Sequence, residues 1–260
     1  MSNFDSLTTR MPNGLTNAAP GQTMGASGIP DPSWAHVYHN DFDTFLAGDW
    51  TETVVGTGTV ATQAVDGGAI LVSTSAGATD AMTLALGKGT FQLVAGKAAF
   101  FKLKATLSDV LADVFFAGLV NANVTTLASI TDGIYISKAA GSALLTLNSA
   151  VGGVVTSVAL PALEIPVAAT AFEIGLSVDY LGNLAAYFNP TTGSNPISAA
   201  QAASSQARGR VAALFANANG AQATPNVLTQ ALLAPAFSLT NGAAAIKTLS
   251  VDYVTAVRER

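Results

Sequence analysis

Cysteine is absent from the 260 residues, so no disulfide, thiolate nucleophile or Cys-based metal site is available to this chain. Histidine is nearly absent, with His36 and His39 alone, which leaves almost no pool for a Ser-His-Asp triad. Charge is scarce too: Asp, Glu, Lys and Arg make up 10% of the residues, against a usual share of about 25%. The 11 basic and 16 acidic residues balance at −5 with no basic run, which argues against nucleic acid as a partner. Half the residues are hydrophobic and the mean hydropathy is +0.43. Yet no apolar run of about 18 residues is free of turn formers or charges, so no membrane span and no membrane partner are expected. The opening MSNFDSLTTRMPNG has neither the basic nor the apolar region of a secretory signal, which fits synthesis in the cytoplasm.

What replaces the charge is Ala, Gly, Ser and Thr, and the pattern in which they occur is that of strands. The clearest stretch is AFEIGLSVDYLGNLAAYFNP at 171–190. Phe172, Ile174, Leu176 and Val178 alternate with Glu173, Gly175, Ser177 and Asp179, the period of a strand with one dry and one wet face. A Leu-Gly-Asn turn follows, then a second apolar run from Leu184 to Phe188, which predicts a hairpin.

Short runs separated by Gly-rich turns continue through the chain, at Thr59–Val65, Ala69–Ser73, Met82–Leu86 and Phe91–Val94. In KAAFFKLKATL, Phe101, Leu103 and Ala105 fall on one face and Phe100, Lys102, Lys104 and Thr106 on the other, a central strand with a wet, basic outer face that is either simply solvated, the commoner case, or meets an acidic partner. Val154–Leu160 follows Gly152-Gly153 as the second arm of a hairpin. The final stretch, Ile246–Val257, alternates less cleanly, as a strand packed on both sides would. The predicted fold is an all-β antiparallel sandwich over residues 41–260.

Residues 1–40 read as an extended N-terminal arm. Pro12-Asn13-Gly14, Pro20-Gly21 and Pro30-Asp31-Pro32 interrupt it every few residues. Its scattered apolar residues, Phe4, Leu7, Met11 and Leu15 among them, mark either a solvated linker or a segment that docks on another chain, and docking is the expectation adopted here. Arg208 and Arg210, two apart on a predicted strand, present both guanidinium forks on one face. With Lys102 and Lys104 and the four arm residues they are the candidate partner-binding positions.

Reactive constellations are sparse. His36, His39, Asp41 and Asp43 are ligand types at close spacing, but they flank a predicted arm-to-sheet junction where polar residues are expected, and no metal or other cofactor is predicted. The glutamates are Glu52, Glu164, Glu173 and Glu259. None lies in an E-x-D-x-x-E run, and Glu173 and Asp179 would stand about 20 Å apart along an extended strand, too far for a glycosidase pair. No catalytic residue is predicted, and the chain is not expected to be an enzyme.

Several segments, in order, resemble phage virion proteins with a concanavalin A/LamG-like jelly roll. They are Asn40-Asp41-Phe42 with Gly48-Asp49-Trp50-Thr51, Asp66 to Leu71, FFKLKATLSD, Asp132-Gly133-Ile134-Tyr135, VDYLGNLAAYFNP, and Asn241 to Ala244 with Val251-Asp252-Tyr253. The resemblance implies a jelly-roll sandwich and a head decoration or cement role on the capsid exterior. It implies the major capsid protein as partner and synthesis in the host cytoplasm, while low charge and abundant Ala, which suit buried interfaces, predict self-association as a dimer or trimer. A different reading is a carbohydrate-binding jelly-roll module of a tail fibre or receptor-binding protein. Such a site usually exposes Trp or Tyr rings, and only two Trp and five Tyr are present.

Overall fold

The computed structural model describes residues 35–94, 96–160, 166–178, 182, 184–190, 211–214 and 231–260. Two antiparallel sheets stack face to face. The first, sheet A, is built from β1 (Ala35–Asn40), β3 (Gly58–Gln63), β4 (Ala69–Thr74), β6 (Ala99–Leu107), β11 (Ala171–Val178), β12 (Leu184–Pro190), β13 (Val211–Leu214) and β15 (Thr248–Glu259). Sheet B contains β2 (Trp50–Val55), β5 (Ala81–Leu86), β7 (Asp113–Asn121), β8 (Gly133–Lys138), β9 (Leu145–Val151), β10 (Val154–Ala159) and β14 (Leu233–Asn241). The order is β13-β12-β11-β6-β15-β4-β3 in sheet A and β10-β9-β8-β7-β14-β5-β2 in sheet B. This is the expected all-β jelly-roll sandwich. Its non-neighbouring pairs, β6 with β11 and β5 with β14, are what make it more than a meander.

The alternation read in β11 sets its place. Phe172, Ile174, Leu176 and Val178 are all buried while the residues between them are half-buried. The strand runs antiparallel to β6, with Leu176 opposite Phe101 and Ile174 opposite Leu103. Those side chains enter one core with Val251 and Val254 from β15 and with Phe115, Leu119, Ile136, Leu147 and Phe237 from the facing sheet. Each such side chain contributes about 1.5–3 kcal/mol by leaving water. At the β1 end, Phe42, Trp50 and Phe237 form a three-ring cluster, with ring centroids 5.8, 5.4 and 6.4 Å apart.

Two strand expectations change. Phe91–Val94 is not a strand; Phe91 makes a single bridge to Leu233 and inserts its ring fully into the core. The irregular alternation of the last strand has another cause than packing on both sides. Val251 pairs with Ala105 and Tyr253 with Lys104, so Asp252 is one extra residue, a β-bulge. Leu249 and Val251 are buried before it and Val254 and Ala256 after it. The bulge shifts the phase by one, and both Asp252 and Tyr253 face outward.

The sandwich also begins earlier than residue 41. Ala35–Asn40, assigned to the arm by its proximity to Pro-rich punctuation, pairs with β15 from Ala35↔Glu259 to Asn40↔Val254. The reason lies in strand lengths. β15 is twelve residues long, and β4 pairs only with Thr248–Val251, so the rest of that edge is completed by β1. The remainder of the arm, with Phe4, Leu7, Met11 and Leu15, lies outside the described residues, as do Arg208 and Arg210.

Candidate interaction faces of the sandwich

On sheet A the outer face is organised by β6. Its alternation, with Phe101, Leu103, Ala105 and Leu107 buried, turns Lys102 and Lys104 outward as the sequence predicted. The neighbouring strands bring acids to both. Lys102 Nζ lies 3.3 Å from Glu173 Oε2, and Lys104 forms an ion pair with Asp252, the bulge residue. The acidic partners of these lysines are therefore in the same chain.

Tyr253 completes the group. Its hydroxyl donates to Glu173 Oε1 at 2.7 Å, and Lys102 Nζ stands 5.2 Å from the centre of its ring. Burial, and then the Glu173 hydrogen bond, push the Tyr253 phenol well above its ordinary value, so it stays protonated as the donor. On the flank, His39 Nδ1 and Thr255 Oγ1 are 2.7 Å apart. The His39 ring lies 6.2 Å from that of Tyr253. Sequence reasoning found Lys102, Lys104 and Glu173 through alternation, but missed Asp252 and Tyr253 because the bulge hides their shared face. The one available signal was the broken period itself.

The metal-like spacing at His36–Asp43 does not converge. The His36 ring packs against Phe91 at 4.7 Å, while His39 faces Thr255. Burial and the charges of Arg260 and Arg258 lower the His36 pKa. Among the described residues, no group of three or more His, Asp or Glu side chains is arranged to hold a metal. Glu173 is held by Tyr253 and Lys102, and Asp179 lies outside the described residues.

On sheet B the middle of the outer face is covered rather than open. The β7–β8 connection folds back over it, burying Val124 and Ile130 against Phe116, Val120, Tyr135 and Ala236. Thr83 Oγ1 donates to Thr125 O at 2.8 Å, and the backbone N–H groups of Thr125 and Thr126 donate to Ser129 Oγ at 2.8 and 3.0 Å. Beside this plug runs a polar ladder: Asn148 Nδ2 donates to Ser137 Oγ at 2.9 Å, and Ser157 Oγ donates to Asn148 Oδ1 at 2.7 Å. Among the described residues no helix is long and apolar enough to cross a membrane.

At one end of the sandwich, Asp109 accepts from Lys247 Nζ at 2.5 Å and from the N–H groups of Leu111 and Ala112 at 2.8 and 3.0 Å. Those donors hold its carboxyl well below the usual carboxylate range. Asn241 bridges the β4–β5 turn to β14. Its Nδ2 donates to Ser75 O and Gly77 O at 2.6 and 2.8 Å, and its Oδ1 accepts from Thr74 at 2.5 Å.

No protein-family model matches the chain, and neither does any curated protein. Solved structures do. The exoplasmic/lumenal domain of VIP36, in its Ca2+/Man3GlcNAc-bound form, is similar with a TM-score of 0.56 at 7% identity, covering 85% of this chain and 89% of that one. Peanut lectin is similar with a TM-score of 0.55 at 7% identity, over 86% and 97% of the two chains. An endo-1,3-beta-glucanase from Streptomyces sioyaensis is similar with a TM-score of 0.52 at 14% identity, over 89% and 99%. At such identities the likeness is one of fold, a lectin-like jelly roll, which hosts both binding proteins and an enzyme.

Proposed function

We propose that this chain is a non-enzymatic structural protein of a virion that decorates and cements the capsid shell by binding the major capsid protein and further copies of itself. The observation that carries this reading is the state of the exposed sheet A face. Lys102, Lys104, Glu173, Asp252 and Tyr253 are bonded to one another, so the face is a neutral, fixed relief in a chain with 10% charged residues. A protein that functions by packing needs such relief, because partners meet it without stripping water from unpaired charges. The resemblance of its segments, in order, to phage decoration proteins points the same way. The test is co-sedimentation of the purified chain with capsids lacking it, together with copy number per particle. Binding that saturates at hundreds of copies supports the reading; no binding, or a few copies per particle, overturns it. Deleting residues 2–30, which stops short of β1, is expected to weaken attachment while leaving the melting temperature of the isolated subunit unchanged.

A second reading is favoured by a different observation. Tyr253 and His39 place rings beside Lys102 and Glu173 on the outer face of sheet A, and the fold is that of lectins. A carbohydrate-binding module of a tail fibre or receptor-binding protein would use such a patch. Glycan-array binding that is lost in Tyr253→Ala, with no capsid binding, would replace the first reading by this one.

A further inference from the structure

Sheets end in strands whose outward N–H and C=O groups have no ladder partner, and proteins guard such edges with charge, proline or short length. Edge strand β10 has none of these guards. It reads VVTSVA, and among the described residues it pairs only with β9. Val154 is 72% exposed and Val155 46%. The opposite edge of the same sheet, β2, carries the carboxylate of Glu52 in mid-strand, and β3, an edge of sheet A, exposes no large apolar side chain.

The edge is also held in shape. Gly152 and Gly153 take φ of 57° and 83°, the paired left-handed conformation of a two-residue hairpin turn. The turn is tied to the β7–β8 connection by Gly152 N donating to Asp132 Oδ1 at 3.1 Å and Gly153 N to Thr131 O at 2.8 Å. At the other end Leu160 N donates to Leu145 O at 2.8 Å. That last bond sets the phase of the strand. In an antiparallel ladder every second residue faces the partner, so Val154, Thr156, Val158 and Leu160 bond to β9. The N–H and C=O groups of Val155, Ser157 and Ala159 therefore point outward.

We propose that β10 is a self-pairing edge, at which a second copy of this chain adds its own β10 antiparallel about a two-fold axis at Ser157. In that register Val155 faces Ala159 of the second copy, Ser157 faces Ser157 and Ala159 faces Val155, and each pair exchanges both backbone hydrogen bonds. The strand suits its own copy because it bears no charge to repel itself and its outward groups are symmetric about Ser157. The pairing joins the two B sheets into one and brings the polar ladders that end at Ser157 to the axis. The inference deepens the structural reading above, on which self-association rests, by naming the surface.

The experiment is sedimentation equilibrium of the full chain and three variants. Val155→Pro deletes one outward N–H and no bond to β9; Val155→Lys sets a charge at the pairing edge; Val65→Lys alters an exposed valine elsewhere. The wild type is expected to dimerise, both Val155 variants to dissociate roughly tenfold or more readily, and Val65→Lys to behave as wild type. An unchanged far-UV circular dichroism spectrum certifies the fold, since loss of the dimer itself lowers the melting temperature; if the proline variant loses strand signal, the lysine variant decides. A dimer indifferent to both Val155 variants overturns the β10 assignment while leaving self-association intact. A monomeric wild type overturns the inference outright. Capsid co-sedimentation of the same proteins reads the decoration role separately.

Discussion

Asp113 and Lys138 meet across β7 and β8 at 2.6 Å, with neither side chain exposed to solvent. Both lie on the inward phase of their strands, two residues from Phe115 and Ile136 of the core. Lys138 Nζ also donates to the carbonyl oxygens of Asp113 at 2.5 Å and of Ala139 and Ser142 at 3.4 Å. The ammonium is thus surrounded by acceptors, while burial pushes the Asp113 carboxyl up from its ordinary value.

Breaking this pair on one side leaves a charge in the interior. Lys138→Met is expected to destabilise the protein by about 3–5 kcal/mol, whereas the double variant Asp113→Leu/Lys138→Met should lie near wild type. Urea denaturation of the three proteins checks this; a double variant as weak as the single one would mean that the carbonyl contacts of Lys138 matter more than its charge partner.

Leu176 is 1% exposed at the centre of β11. Leu176→Ala should cost about 2–5 kcal/mol, measured by the same unfolding curves. A loss under half of the lower bound would show that the core collapses around the missing atoms.

Gly118 sits in β7 where a Cβ would lie 2.2 Å from Ile134 O and 2.6 Å from Tyr135 Cα and Cβ. Backbone cannot yield that far without breaking the β7–β8 ladder. Gly118→Ala is expected to lower the melting temperature clearly, while Gly141→Ala, with nothing near its Cβ but a φ of 79°, should show only the smaller strain of a positive φ.

The Asp109 carboxyl is held below its ordinary value chiefly by the Lys247 hydrogen bond and then by the N–H groups of Ala112 and Leu111. Its contribution to stability is full above the unfolded carboxylate value of about 4 and is lost as pH falls through the lower folded value. Asp109→Asn should therefore lower stability at neutral pH and flatten its fall in acid, seen by thermal melts from neutral pH downward.

The strands that could be read in the sequence are those whose alternation is unbroken. Phe101, Leu103, Phe172, Ile174, Leu176 and Val178, read on the dry faces of their strands, all enter one core with Val251, because a period of two leaves one face apolar regardless of which strand lies next to it. Lys102 and Lys104 could be placed on a wet face for the same reason, but not paired. Glu173 is 71 residues from Lys102 by number and Asp252 lies beyond the bulge, and only the order β11-β6-β15 sets them side by side.

The sequence by itself determined that this chain forms an all-β sandwich with a sparse complement of charge, since turn glycines, alternation and composition are local properties. Tertiary structure decided which polar residues meet and which strands stay unpaired. Asp113 and Lys138 look like ordinary surface residues in the sequence and become a buried pair because β7 and β8 end over the core. Tyr253 gains its outward direction from a single inserted residue. VVTSVA reads as one more strand, and it is an edge because sheet order, a relation between residues far apart in the chain, leaves its outward backbone groups without a neighbour among the described residues.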